Sequence, residues 1–86
     1  VTIGDVKVTI RKGDQALDNA RMSIEKANAK LVDATALAIA ALHDSERGEA
    51  KQSPKALREA ADEVELVLRR IKVAKDHAAA YLAIIR

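Results

Sequence analysis

Apolar residues recur at alternating steps of three and four along almost the whole chain, and that spacing leaves room for little except long amphipathic helices. The first half carries Ile3, Val6, Ile10, Gly13, Leu17, Ala20, Ile24, Ala27, Leu31, Ala34, Ala38 and Ala41 in this series. The second half carries Leu57, Ala60, Val64, Val67, Ile71, Ala74, Ala78, Tyr81 and Ile85. The spacing predicts an all-α fold: an antiparallel two-helix hairpin that assembles into a four-helix bundle or coiled coil. A single domain over residues 1–86 is expected, with one helix over about 3–47, a turn over about 48–53 and a second helix over about 54–86.

The turn is read from local signals. Ser53 suits an N-cap and Pro54 the first helical position, where its missing N–H has no bond to lose. Gly48 reads as the residue just past the first helix, with His43 and Arg47 in its last turn. Short connections favour antiparallel neighbours. The segment over 1–12 has two readings. Val6-Lys7-Val8-Thr9-Ile10 alternates and is β-branched, as a strand would be, and a tight hairpin through Gly4-Asp5 is conceivable. Thr2-x-x-Asp5 instead resembles a capping box, and Ile3, Val6 and Ile10 continue the helical series. The helix is the favoured reading, with a bend at Gly13. It makes the first helix about 67 Å long against about 50 Å for the second, at 1.5 Å per residue. Ile3, Val6 and Ile10 then overhang, beyond reach of their own chain's second helix.

With 86 residues, no Phe or Trp, one Tyr and much of its apolar content in Ala, the chain has little area to withdraw from water. It has no Cys and so no disulfide. Oligomerisation is the usual compensation for so thin a core. A homo-oligomer is expected, a dimer ahead of larger forms, or pairing with a helical protein partner. The expected interface residues are Ile3, Val6, Ile10, Leu17, Ile24, Leu31, Val64, Leu68, Ile71, Tyr81 and Ile85. Leu31, Leu68 and Ile71 are expected at one level of the core.

The residues that carry chemistry form no constellation. His43 and His77 each stand beside an Asp, but sequence neighbours on a helix point about 100° apart and do not converge. Neither HxxxH nor ExxH spacing occurs, so no metal and no cofactor is expected. Asp14 with Asp18 and Glu59 with Glu63 have the i,i+4 spacing that di-metal bundles exploit, yet the Glu-x-x-His partners of such sites are missing. These acids read as favourable charges near helix starts. The glycines are isolated, so no loop cradles phosphate. No catalytic residue is expected, and the chain reads as a non-catalytic interaction or structural module.

Net charge is +2, too small to demand a polyanionic partner. Arg11-Lys12 and Arg69-Arg70-x-Lys72 are the basic clusters, and no aromatics interleave them to stack bases. A nucleic-acid-associated protein using the basic C-terminal helix is therefore the alternative function, ranked second. No run approaches the roughly 18 apolar residues of a membrane span, and no signal peptide is read. A cytoplasmic location is expected, with export by a non-classical route left open. Val1 in place of an initiator Met points to a removed Met or to a piece of a longer protein.

Taken in order, the chain has a Thr2-Ile3-Gly4-Asp5-Val6 start, a long Ala-rich helix, Ser45-Glu46-Arg47-Gly48 at the turn, a second amphipathic helix and a closing Ala80-Tyr81-Leu82-Ala83. This order resembles uncharacterised short Ala-rich helical-hairpin proteins of actinobacteria. In size and plan these are similar to the small WXG-type proteins of type VII secretion. The WXG-type turn carries Trp-x-Gly, which this chain lacks. The tail signal of that family is a Tyr with an acid four residues on, where Tyr81 is followed by Ile85. The resemblance thus implies an accessory partner rather than an exported substrate.

Overall fold

The computed structural model describes residues 1–85. Two helices account for nearly all of them: α1, Ile3–Leu42, and α2, Gly48–Ile85. They form an antiparallel hairpin 64 Å long and 16 Å across in both other directions. Arg86, expected at the end of the second helix, lies outside the described residues.

The helical reading of the N-terminal segment holds, and Thr2 and Asp5 supply the reason. The Asp5 amide donates to Thr2 Oγ1 at 3.1 Å, and the Thr2 amide donates to Asp5 Oδ2 at 3.2 Å. Two otherwise orphaned N–H groups are satisfied reciprocally, which fixes the helix start against the local β-branched preference. Thr9 bonds back to the Asp5 carbonyl at 3.0 Å, a contact available only in the helix.

The expected boundaries near the turn are overturned. α1 ends at Leu42 rather than near residue 47, with His43 as its C-cap at φ −61° and ψ −29°. The His43 ring lies 3.0 Å from the Ala40 carbonyl, so it meets one of the groups the helix end leaves free. Gly48 is not a left-handed cap, since no glycine has positive φ; it opens α2. Pro54 stands six residues inside α2, where it denies the Ala50 carbonyl its usual partner. Burial offsets that loss. Ala50 and Pro54 are two of the three buried residues of α2, and they share a hollow at the turn with Ile39 and Leu42. Ser53-Pro54 is a good local start signal that packing overrides.

Moving the turn to residues 43–47 also removes the overhang. The helices have 40 and 38 residues, about 60 and 57 Å, and end nearly flush. Val6 and Ile10 are half-buried in the hairpin, contrary to the expectation that their own chain would not reach them; Ile3 stays 62% exposed. The register moves with the turn. Lys75 meets Asp14 and Asp18, so Ile71 lies level with about residue 20, and Leu31 is not opposite Leu68 and Ile71.

Candidate interaction surface

The apolar stripe read from the sequence is split by the hairpin. One line of it is shared: Ile10, Leu17, Ile24, Leu31 and Ala38 on α1, and Leu57, Val64, Ile71, Ala78 and Ile85 on α2, are all half-buried or buried. The other half of the seam is a different line. On α1 it is Lys7, Asp14, Arg21, Asn28, Thr35 and Leu42; on α2 it is Pro54, Ala61, Leu68, Lys75 and Leu82, and every one of these is at least half-buried. The seam therefore takes the four-residue step where the stripe takes the three-residue step. The small-residue line that completes the stripe turns outward: Val6, Gly13, Ala20, Ala27, Ala34 and Ala41 on α1, and Ala60, Val67, Ala74 and Tyr81 on α2. All but Val6 and Ala60 are exposed.

The polar half of the seam on α1 explains this choice. Lys75 reaches across the hairpin to the Asp18 carboxylate by a hydrogen bond and to Asp14 at 3.8 Å. Arg21 stands 3.8 Å from Asp18 and pairs with Glu25 at 3.0 Å. The hydrogen bond from Lys75, aided by the positive charge of Lys75 and Arg21, holds Asp18 below the ordinary carboxylate range. The same bond, with the two carboxylates, raises Lys75 above its ordinary value. The spacing of Asp14 and Asp18 alone reads as helix-start charge, and nothing in it names Lys75 as their partner. The signal for it was a base at a seam step of the second series.

The hairpin thus has two unlike faces. One is a charged groove lined by Asp18, Arg21, Glu25, Glu65, Arg69, Lys72, Lys75 and Asp76 about Leu68. Arg69 pairs with Glu65 at 3.6 Å and Lys72 with Asp76 at 3.1 Å within α2, while Lys75 takes its acids from α1. On the opposite face an apolar hollow is lined by Ile24, Ala60, Val64 and Val67, with Glu63 at its rim. The small-residue lines of both helices border this face, and none of their members is charged, in a chain that is 33% charged.

The expected interface residues fall into four groups. Leu17, Ile24, Leu31, Val64 and Ile85, with Ile10, lie on the shared line, and Ile71 on the same line is the most enclosed at 9% exposure. Leu68 belongs to the internal seam. Val6 and Tyr81 belong to the outward line, Tyr81 at 48% exposure, while Ile3 is an exposed end residue. Sequence reasoning missed Leu37, which is 70% exposed, outside the stripe and one helical step beyond the outward line. Ile84, 78% exposed, takes the equivalent place on α2.

Among the described residues no three His, Cys, Asp or Glu side chains converge as metal ligands would, and no helix is long and apolar enough to cross a membrane. His43 Nε2 lies 3.2 Å from Asp44 at the turn, both well exposed. Compared with known protein families, curated proteins and solved structures, the chain finds no match.

Proposed function

We propose that this chain is a non-catalytic protein-interaction module, a helical hairpin that works by laying its uncharged face on other helices. The observation that supports this reading is the division of faces. The hairpin satisfies its charges with one another on one side and leaves the small-residue lines of both helices bare on the other. The Gly and Ala that make up most of the α1 line let a partner helix approach closely, to about 8–10 Å between axes. The shared line points toward that face as well, so a partner would complete the burial of the largest aliphatic residues. The accessory role implied by the hairpin resemblance is of this same kind.

A photocrosslinking residue such as p-benzoylphenylalanine tests the reading. Placed at Ala27, on the outward line, it is expected to give covalent protein adducts. Placed at Ala29, exposed on the back of α1, it is expected to give none. No adduct at either position, or equal yields at both, would overturn the reading. So would tight binding to duplex DNA that weakens steeply with salt, the behaviour of phosphate contacts.

A further inference from the structure

We infer that the occupant of the uncharged face is a second copy of this chain, apposed through a two-fold axis to give a four-helix bundle. This inference rests on the interaction reading above and names its partner. Three observations carry it.

The first is area. The hairpin exposes 6566 Å². A compact monomer of 9.3 kDa exposes about 5,000 Å² by the usual scaling with mass. The excess, about 1,600 Å², is roughly twice what each partner contributes to a standard interface. One flat apolar face on a 64 Å rod is where such an excess is most cheaply removed.

The second is the position of the shared line. In a two-helix pair the largest apolar residues belong at the centre of the seam. Here Ile24, Leu31 and Val64 are only half-buried, and on α1 the other seam line is mostly polar, with Lys7, Asp14, Arg21, Asn28 and Thr35 ahead of Leu42. In a four-helix bundle the arrangement makes sense. The shared line becomes the centre of the core, and the polar line of α1 moves toward the outside of the bundle.

The third is charge at the rim. Glu63 borders the apolar hollow, and Lys30 and Arg70 lie on the equivalent lines of their helices. Level matching along the hairpin sets Glu63 opposite Arg70 of the other copy when like helices face each other. When unlike helices face, it sets Glu63 opposite Lys30. Either sense of the two-fold pairs opposite charges, so the face is self-complementary, as an isologous interface requires.

Sedimentation equilibrium on the full chain at tens of micromolar tests the inference, with far-ultraviolet circular dichroism as the check on folding. The expected mass is twice 9.3 kDa. The variant A27E/V67E, which puts two charges on the face, is expected to weaken association by roughly tenfold or more while keeping its helicity. The matched variant A29E/L66E, on the backs of the helices, is expected to remain dimeric. A helical wild-type monomer overturns the second copy as occupant, even if Ala27 still crosslinks to another protein. Equal effects of the two variants on association overturn the face. If A27E/V67E loses its helicity, the adduct mass from the Ala27 crosslinker in pure protein decides. Twice the chain mass supports the inference, and uncrosslinked monomer alone overturns it.

Discussion

At the scale of residues, few side chains are enclosed, so each enclosed one counts. Ile71 is the most buried large aliphatic residue, and Ile71→Ala is expected to cost about 2–4 kcal/mol, read from the denaturant midpoint. Asn28 should behave in the opposite way. Its Oδ1 is buried and has no hydrogen-bond partner, in a seam that could hold an aliphatic residue there. Asn28→Leu is therefore expected to raise stability by about 1–3 kcal/mol, through removal of an unpaired polar atom. The ionic cluster gives a pH dependence. Asp18 is more acidic in the folded chain than in the unfolded one, so its contribution is present above the ordinary carboxylate value and is lost as pH falls through the lowered one. Lys75 is more basic when folded; its contribution is complete below the ordinary lysine value and is lost as pH rises through the raised one. Melting temperature should thus fall at acidic pH, and Asp18→Asn should flatten that acid limb. A limb of unchanged slope in the variant would remove Asp18 from the account.

At the scale of elements, the strong periodicity made both helices legible, and the capping residues Thr2 and Asp5 made the first start legible against a strand-like local sequence. The second start was not. Ser53-Pro54 is a sound local signal, but it competes with burial of Ala50 and Pro54 against Ile39 and Leu42, and a contact across a turn leaves no periodic trace. The six residues ahead of Pro54 form a helix segment that few backbone bonds hold. Only the amides of Gln52 and Ser53 have helical acceptors there, at Gly48 and Glu49, before proline interrupts the ladder. Hydrogen exchange at these two amides is expected to be fast, and exchange in the stretch about Ala61 to Ala74 slow. Equal protection along α2 would mean that the leading turn is as firmly held as the middle.

At the scale of the whole molecule, the stripe showed that helices would pair but not which side of it each partner would take. Three-step and four-step lines flank the same aliphatic row, and composition favours the three-step line because it is the apolar one. The hairpin takes the four-step line because Lys75 with Asp14 and Asp18, and Leu68 and Leu82 on α2, lie on or beside it. That leaves most of the apolar line exposed, and a stripe in the sequence marks such a line without saying whether it faces inward or out. If that surface binds a second copy, folding and association are linked. The melting temperature is then expected to rise with protein concentration, a trend absent from a monomeric hairpin.

The Lys75 clamp also acts as a proofreading device for alignment. Heptad spacing makes a hairpin degenerate, since sliding one helix by seven residues keeps every aliphatic row in place. The clamp breaks that degeneracy. A slip in one direction carries Lys75 from Asp14 and Asp18 to Lys7 and Arg11, where only like charge waits; a slip in the other carries it to Arg21 and Glu25, where repulsion cancels attraction. The oily rows alone accept any of the three alignments, and one ammonium group rejects two of them.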